Sequence, residues 1–314
     1  MSGVDPARLE ALAAALDGLG ELRRAEPLSR HTTFGIGGPA DLYFKATSRE
    51  ALAAAARAAR AQAVPLFVLG SGSNLLVGDG GVRGLVIENN ARRLEEPEPL
   101  DDGRVRLRGE SGASFAATAR RLCRDGWWGL EWAVGIPGTL GGAVVYNAGA
   151  YGGCLADVLE SIEVLEPDGS ERRIAAADLK LEYRGSVFTR GLLQDRVILS
   201  LDFALRRGDA AEIMAYVAKL DEKRLATQPR GRNAGSIFKN PPQHPAWWLI
   251  DQVGLRGRRL GDAEISQKHT NFFANAGKAK ASEVKQLMDL AGARVQERFG
   301  IALHPEVALI GEGF

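Results

Sequence analysis

The sequence predicts an α+β fold that forms one large domain or two to three modest domains. Three observations support this prediction: segments with the 3.6-residue apolar period of helices, short apolar or alternating runs typical of strands, and a length of 314 residues, which exceeds the usual size of one domain. Hydrophobic residues make up 45% of the chain, so a sizeable core can be buried. The net charge of +1 gives no general attraction to nucleic acids or membrane surfaces.

Helices are predicted where apolar residues recur on one face behind a suitable cap. The first follows Asp5 and Pro6 and places Leu9, Leu12 and Leu16 on one face. Charged residues interrupt this segment, so we expect no signal peptide, and no run approaches the roughly 18 apolar residues of a membrane span. The other predicted helices cover 48–63, 114–126, 209–226 and 282–300, and the last is predicted to have an apolar stripe of Val284, Leu287, Ala291, Val295 and Phe299.

Strands are predicted from short apolar runs that end at turn residues. We expect a buried strand at 64–70, a half-exposed alternating strand at 197–205, and a hairpin over 161–174 whose turn contains Pro-Asp-Gly. Further strands are predicted at 85–87 and 104–110.

The predicted domain boundary lies where a strand gives way to a charged helix, near 206–212. It divides the chain into 1–207 and 208–314. The first segment is expected to contain two subdomains that meet near 64–70.

Glycine is concentrated in three segments of the first half of the chain. Residues 135–153, GIPGTLGGAVVYNAGAYGG, contain seven of the 38 glycines, and 31–46 and 69–81 contain two more clusters. A glycine within a helix or strand costs roughly 0.5–1 kcal/mol relative to alanine, so these segments indicate a need for bare backbone or positive φ. Three such turns favour one shared ligand that is large and anionic in its middle, such as a dinucleotide. Unrelated tight turns are the alternative.

The segment 69–81, LGSGSNLLVGDGG, follows a predicted strand, as a phosphate-binding loop would. It lacks the third glycine of the Rossmann fingerprint and is followed by another predicted strand rather than a helix. The sequence therefore predicts a phosphate-binding turn between strands, in which successive N–H groups face an anion. A tight turn without a ligand remains the alternative. Asn74 and Asn147 can bond a phosphate or a ring, and they equally suit turns.

Polar residues with possible chemical roles lie in the second half of the chain. The segment RGRNAGSIFKNP, 230–241, places Ser236 close to Lys239 and Asn240, outside any GxSxG motif of hydrolases. Glu306 is expected in an otherwise apolar terminal strand. A carboxylate there is costly unless it is paired, serves proton chemistry, or faces solvent beside His304.

Seven segments between about residues 30 and 310 occur in the order of a known enzyme family. They are HTTFGIGGPAD, LGSGSNLLV, GIPGTLGGAVVYNAGAYGG, LEYRGSVF, NAGSIFKNP, GDAEISQKHTNFFAN and GIALHPEV. Together they resemble the flavoenzyme family of UDP-N-acetylenolpyruvoylglucosamine reductases. The resemblance implies an FAD-binding fold of the vanillyl-alcohol-oxidase type in 1–207 and an additional α+β substrate-binding domain in 208–314.

The resemblance also implies non-covalent FAD along the glycine-rich segments, with NADPH as co-substrate. The turn at 70–74 would hold the pyrophosphate, and 135–153 would surround the isoalloxazine and phosphate region, where a Cβ would collide with the ligand. No metal is implied. The implied cofactor-binding residues are Gly35, Ile36, Gly37, Gly70, Ser71, Gly72, Ser73, Asn74, Gly135, Gly138, Thr139, Gly142, Asn147, Ala148 and Gly149.

The implied activity is that of a UDP-N-acetylmuramate dehydrogenase, in which hydride from NADPH reaches the enolpyruvyl ether of UDP-N-acetylglucosamine through FAD. By match to the family motifs, Arg184 would stabilise the enolate-like intermediate, Ser236 would donate the proton and Glu306 would assist. The implied substrate-binding residues are Tyr183, Lys239, Asn240 and Arg224.

The resemblance also implies a place for the enzyme in the cell. It would act in peptidoglycan precursor synthesis, and so in cell shape and division. It would be a cytoplasmic monomer with no nucleic-acid or membrane partner.

Two other functions remain open from the sequence. One is another FAD oxidoreductase of the same fold, acting on an alcohol or sugar. Such enzymes often tether flavin through a histidine in the glycine-rich loops, and 69–81 and 135–153 contain none. The other is a non-catalytic nucleotide-binding module, which would have no reason to keep Arg184, Ser236 and Glu306 together.

Overall fold

The computed structural model describes residues 3–193 and 195–314. Its helices are α1 (Pro6–Leu16), α2 (Arg49–Ala61), α3 (Phe115–Arg124), α4 (Leu140–Val145), α5 (Ala210–Thr227), α6 (Ala246–Gln252) and α7 (Ala281–Phe299). Its strands are β1 (Glu21–Pro27), β2 (Pro39–Ala46), β3 (Leu66–Leu69), β4 (Leu75–Val77), β5 (Val82–Asn89), β6 (Glu98–Pro99), β7 (Arg104–Glu110), β8 (Trp127–Trp128), β9 (Gly149–Ala150), β10 (Gly153–Cys154), β11 (Leu159–Leu165), β12 (Glu171–Ala175), β13 (Val197–Arg207), β14 (Asn233–Ser236), β15 (Arg259–Leu260), β16 (Ala263–Ile265), β17 (Phe272–Asn275) and β18 (Ala308–Ile310).

The chain forms two compact units that are discontinuous in sequence. Unit 1 contains the described residues up to Leu22, Tyr43–Gly70 and Leu85–Arg224, and unit 2 contains Arg23–Leu42, Ser71–Gly84 and Leu225–Phe314. Four of the five unit boundaries fall within β1, β2, β5 and α5, and the fifth lies between Gly70 and Ser71, in the turn between β3 and β4. This division by contacts differs from the predicted contiguous segments 1–207 and 208–314, because two stretches from the first half of the chain belong to the same unit as the C-terminal residues.

Unit 1 is built around an antiparallel sheet with the order β12-β11-β13-β7-β6, in which β8 also pairs with β13. Every residue from Val197 to Leu205 is buried, so the prediction of a half-exposed strand was wrong. The physical reason is position: β13 is the central strand, paired with β11 and β7, and it also contacts α2 and α4. The predicted hairpin is confirmed as β11 and β12, in which Leu165 pairs with Glu171.

The glycine-rich turn at 70–74 connects two strands, as predicted. β3 precedes it and pairs in parallel with β5, in a sheet of order β1-β2-β5-β3. β4 follows it and pairs in parallel with β18, where Leu75 lies opposite Ala308. No helix begins at this turn, which agrees with the failed Rossmann comparison.

Unit 2 packs α6 and α7 with an antiparallel sheet of order β14-β17-β16-β15. The apolar stripe predicted for α7 is confirmed. Phe299 is partly buried, and the other four residues are fully buried: Val284, Leu287, Ala291 and Val295. Phe34, Ile36 and Leu76 join this core, which explains why their segments belong to unit 2. Among the described residues, no helix combines the length and the apolar character needed to cross a membrane.

Candidate functional site

The predicted site residues divide between the two units. Unit 1 contains Gly70, Gly135, Gly138, Thr139, Gly142, Asn147, Ala148, Gly149, Tyr183, Arg184 and Arg224. Unit 2 contains Gly35, Ile36, Gly37, Ser71, Gly72, Ser73, Asn74, Ser236, Lys239, Asn240 and Glu306.

In unit 2, the turn at Ser71–Asn74 is fixed by contacts with neighbouring backbone. Gly72 has a φ of +62°, and a Cβ there would lie 2.2 Å from the carbonyl oxygen of His31. Thr33 donates to the Gly72 carbonyl from its N–H at 3.1 Å and to the Asn233 carbonyl from its hydroxyl at 2.7 Å. Glycine is therefore required at position 72 by the chain's own packing.

Asn74 joins this turn to the segment that carries Glu306. Its Nδ2 donates to the Glu306 carbonyl at 3.2 Å, and its own carbonyl accepts from the Ala308 N–H at 3.0 Å. The side chain predicted to bind cofactor therefore also holds a predicted catalytic residue in place.

The segment at 35–37 lies beside an open pocket of about 480 Å³ in unit 2. The pocket is lined by two arginines, three hydroxyl-bearing residues and one glycine: Arg30, Arg232, Ser29, Thr32, Thr33 and Gly35. Guanidinium and hydroxyl donors suit an anionic ligand. Ile36 is only 2% exposed, and its N–H and carbonyl are both bonded to the Thr32 hydroxyl, at 3.3 and 2.9 Å, so its role here is structural.

Ser236 and Glu306 lie on adjacent segments of unit 2. Ser236 ends β14 opposite Phe272, and the Glu306 N–H donates to the carbonyl of the next residue, Ile237, at 2.8 Å. Glu306 itself lies before β18, so its prediction within a strand was wrong. Pro305 forms an isolated antiparallel bridge with Phe238, made by the bonds from the Lys239 N–H to the His304 carbonyl and from the Glu306 N–H to the Ile237 carbonyl.

Lys239 and Asn240 follow Ser236 along the same segment. The Lys239 N–H donates to the His304 carbonyl at 2.9 Å. The Asn240 Oδ1 accepts from the N–H of Ala246, the first residue of α6, at 3.0 Å. The Asn240 side chain thus satisfies an otherwise unpaired N–H at the start of α6.

A buried asparagine that bonds to this segment was not predicted from the sequence. Asn271 is 2% exposed, accepts from the Phe238 N–H at 2.9 Å and donates to the Phe238 carbonyl at 2.8 Å. Thr33 and Asn275 were also not predicted. Asn275 donates to the Phe34 carbonyl at 3.1 Å and so anchors the loop that contains Phe34. A single polar residue has no periodicity or spacing, so their place in the family motifs was the only available signal.

In unit 1, Gly70 and Thr139 bring two glycine-rich segments together. A Cβ at Gly70 would lie 2.7 Å from the Thr139 hydroxyl. That hydroxyl accepts from the Gly142 N–H at 3.2 Å and caps α4, while the Gly141 N–H donates to the Ser111 carbonyl at 2.8 Å. Gly138 has a φ of +147° and leads into this cap. The first N–H groups of α4 therefore serve the protein's own structure.

Asn147, Ala148 and Gly149 connect α4 to the segment that carries Arg184. Asn147 is buried with a φ of +41°, donates to the Glu182 carbonyl at 3.0 Å and accepts from the Ala156 N–H at 3.1 Å. The Ala148 N–H donates to Ala143 within the same segment, at 2.9 Å. The Asn147 side chain is a structural clamp in this arrangement.

Arg184 occupies a backbone conformation that is unusual for a side-chain-bearing residue. Glu182 and Gly185 exchange two backbone hydrogen bonds, at 3.0 and 3.1 Å, and Arg184 between them has a φ of +52°. Its Nη2 donates to the Gly149 carbonyl at 2.8 Å. Tyr183 is 58% exposed beside it, with the guanidinium 5.5 Å from the ring centroid. This turn presents a cation and an aromatic ring together.

Arg224 packs against the start of the longest glycine-rich segment. A Cβ at Gly135 would lie 2.6 Å from the Arg224 Cδ. Burial lowers the pKa of the Arg224 guanidinium below its ordinary value. Electrostatic interactions with Tyr151 and Asp221 and a hydrogen bond with Tyr151 partly oppose this decrease. An arginine nevertheless remains protonated at neutral pH, so Arg224 offers a positive charge beside this loop.

Comparisons with known proteins agree with this arrangement. Residues 40–175 match the model of an FAD-binding domain, and residues 227–310 match that of the UDP-N-acetylenolpyruvoylglucosamine reductase C-terminal domain. The reductase of Nostoc punctiforme is 43% identical over 287 residues, which cover 91% of this chain and 85% of the relative. The chain belongs to the UDP-N-acetylenolpyruvoylglucosamine reductase family. The predicted family is thus confirmed.

Other members of the family support the same assignment. Reductase 2 of Symbiobacterium thermophilum is 42% identical over 293 residues, which cover 93% of each chain. The crystal structure of the reductase from Thermus caldophilus matches with a TM-score of 0.74 and 34% identity, covering 92% of this chain and 98% of that one. The predicted α+β fold with an FAD-binding domain is confirmed by these matches.

The residues of the predicted phosphate turn fit a flavin dinucleotide. Within the described part of the chain, the N–H groups of Ser71 and Gly72 donate to no backbone carbonyl. The Ser71 hydroxyl lies 3.1 Å from that of Ser73, on a turn whose backbone is anchored by Thr33 and Asn74. Two hydroxyls and backbone N–H groups on a rigid turn are suitable donors for a pyrophosphate.

Proposed function

We propose that this chain is a UDP-N-acetylmuramate dehydrogenase, which uses NADPH to reduce the enolpyruvyl ether of UDP-N-acetylglucosamine. The observation that carries the proposal is the pairing of the Ser236 and Glu306 segments through the Glu306 N–H and the Ile237 carbonyl, at 2.8 Å. FAD, when bound, supplies the hydride transfer between NADPH and the substrate. Relatives that are 43% and 42% identical to this chain carry the corresponding reductase name.

Ser236 is the proposed proton donor in this reaction. Hydride addition to the outer enolpyruvyl carbon leaves negative charge on the adjacent carbon and its carboxylate, and that carbon must then take a proton. A serine hydroxyl is a weak acid, but an enolate carbon is a strong enough base to accept its proton. Glu306 assists on the adjacent segment, where the bonds of its N–H to Ile237 and of its carbonyl to Asn74 fix its backbone.

Arg184 is the proposed stabiliser of the developing negative charge. A preorganised cation stabilises an anionic transition state because little reorganisation is needed when the charge forms. The bond from Nη2 to the Gly149 carbonyl and the tight turn at 182–185 hold the guanidinium in one orientation. Lys239 and Asn240 are proposed to bind the nucleotide part, and Arg224 is proposed to contact the diphosphate through its positive charge. Tyr183 is proposed to contact the substrate.

The finer assignments about the cell belong to the same proposal. The product is a peptidoglycan precursor, so we place the enzyme in the cytoplasm and connect its activity to cell shape and division. We propose a monomer that acts on small molecules only, and the net charge of +1 supports the absence of a nucleic-acid partner. Sedimentation of the purified protein tests the monomer.

A visible absorption spectrum under anaerobic conditions tests the function. The flavin absorbance of the purified protein should disappear with NADPH and return when the enolpyruvyl substrate is added. Absorbance that stays bleached would move the function to another flavin oxidoreductase of this fold. Protein that takes up no FAD would favour the non-catalytic nucleotide-binding module.

A further inference from the structure

The segment Ile237–Lys239 is held from two sides within unit 2. On one side, Ile237 and Lys239 bond to the segment 304–306, at 2.8 and 2.9 Å. On the other side, the Ile237 N–H donates to the Asn271 carbonyl at 2.8 Å. The residue between them, Phe238, bonds through both of its backbone groups to the Asn271 side chain.

The Asn271 carboxamide takes the place of a peptide group in the sheet. β17 begins at Phe272, opposite Ser236, so the regular pairing of β14 with β17 ends at Ser236. A carboxamide has the same donor and acceptor as a peptide, and it pairs with Phe238 at 2.9 and 2.8 Å. The orientation of this amide is determined, because the Phe238 N–H requires an oxygen and its carbonyl requires an N–H.

We infer that Asn271 is a positioning residue that sets the place of Ser236 against Glu306 for proton delivery to the substrate. This assignment rests on the proposed function. The assignment goes beyond that function because Asn271 would act through its bonds to Phe238. Phe238 and Asn271 are 3% and 2% exposed, so water cannot replace the lost bonds if the carboxamide is removed. The segment would then shift, and a misplacement of about 1 Å can reduce a rate by about a hundredfold.

The first test compares Asn271→Leu with Thr270→Val. Leucine removes both bonds to Phe238 at similar volume. Thr270 is the neighbouring residue, fully buried, and its hydroxyl donates to the Trp247 carbonyl rather than to the Ser236 segment. Thr270→Val therefore removes a buried hydrogen bond at the same place in the fold without releasing Ile237–Lys239.

Stopped-flow absorbance separates the two half-reactions of these variants. We expect Asn271→Leu to change the rate of NADPH-dependent bleaching little. The rate of substrate-dependent recovery should fall by about tenfold to a hundredfold. Thr270→Val should keep the wild-type ratio of the two rates. A purely structural role would lower both rates in parallel, and an unchanged ratio in Asn271→Leu overturns the assignment.

Asn271→Asp provides the second test, which still applies if Asn271→Leu does not fold. An ionised carboxylate accepts from the Phe238 N–H but repels its carbonyl, whereas a protonated carboxyl restores both bonds. Burial raises the pKa of a carboxyl, so the ratio of substrate-dependent to NADPH-dependent rates should recover as the pH falls. Lys239, His269 and Glu306 are ionisable residues on the neighbouring segments, and Thr270→Val contains the same three residues, so it corrects for them.

The outcomes distinguish this assignment from the function on which it rests. A pH-independent ratio in Asn271→Asp overturns the assignment alone, provided that the wild-type absorbance recovers with the enolpyruvyl substrate. Wild-type absorbance that does not recover overturns the proposed function, and the assignment falls with it.

Discussion

Single residues with unusual backbone angles concentrate around one part of the predicted site. Among the described residues, six that are not glycine have a positive φ. Four of them are Asn147, Tyr151, Lys180 and Arg184. Such conformations cost roughly 1–3 kcal/mol each and persist only where surrounding bonds enforce them. For Arg184, the bonds within the turn at 182–185 and the bond to Gly149 supply that constraint. Strain at a proposed charge-stabilising residue is consistent with a preorganised site.

At Ser236, replacement by alanine should separate the two half-reactions. Without the hydroxyl, substrate-dependent recovery of the flavin absorbance should fall by about 10²- to 10⁴-fold, the usual contribution of a proton donor. NADPH-dependent bleaching should remain, because it requires no proton from Ser236. Since the loss occurs in the chemical step, kcat should fall more than KM changes.

Ser282→Ala is a suitable control for Ser236→Ala. Its hydroxyl donates to Asp79 at 2.8 Å at the start of α7, in the same unit but on another segment. It should keep both rates. Wild-type turnover in Ser236→Ala would remove this serine from the mechanism.

At the level of elements, the glycines of 135–153 have reasons that do not depend on a ligand. A Cβ at Gly153 would lie 2.3 Å from the indole Cδ1 of Trp132. Trp132 cannot easily move, because its N–H donates to the Gly129 carbonyl at 2.9 Å and its ring packs edge-on against Phe115. Gly135 is constrained in the same way by Arg224. Close packing of the loop within unit 1 thus explains part of the glycine content that the family resemblance assigned to contact with FAD.

Gly153→Ala should therefore destabilise the protein even without cofactor. Overpacking a rigid site costs about 1–3 kcal/mol, measured as the free energy of unfolding in urea after FAD is removed. Gly292→Ala is the matched change, because Gly292 lies within α7 with no atom within 4 Å of an added Cβ. Because alanine favours a helix more than glycine does, Gly292→Ala should raise the free energy of unfolding by about 1 kcal/mol. Unchanged stability of FAD-free Gly153→Ala, with weaker FAD binding, would instead support the ligand as the cause.

For the whole molecule, a buried charge cluster in the central sheet of unit 1 connects stability to pH. Asp202 is 2% exposed on β13 and accepts from Arg108 at 2.8 Å and from Ser161 at 2.9 Å, with Arg173 also paired to it. Burial alone would raise the pKa of Asp202, but these hydrogen bonds and the two positive charges lower it below its ordinary value. The charged form is thus favoured by folding.

Asp202→Asn should lower stability at neutral pH and matter less in acid. A carboxyl whose folded pKa is lowered stabilises the protein above its unfolded pKa and loses that contribution as the pH falls through the folded pKa. We expect a loss of about 1–3 kcal/mol near neutrality. Urea unfolding at a series of pH values should show this difference shrinking below about pH 4. A difference that does not change with pH would contradict the assigned role of the charge.

The sequence alone determined the family and several local elements, and the tertiary structure determined how those elements are grouped. The 3.6-residue stripe of α7 and the turn between β3 and β4 follow from local patterns, since period and turn chemistry act over a few residues. The family followed from seven ordered motifs. The burial of β13, the position of Glu306 outside a strand, and the entry of Phe34 and Leu76 into unit 2 did not follow. Each depends on a partner distant in sequence.

The same distinction applies to the candidate site. Ser236, Glu306 and Arg184 were named from motifs, and their roles stay predictions. The clamp that Asn271 forms on Phe238 became visible only in the structure, because the two residues are separated by 33 positions and neither has a pattern of its own. Close packing likewise decided why Gly72 and Gly153 must be glycine: the colliding atoms belong to His31 and Trp132, which a local sequence pattern cannot place.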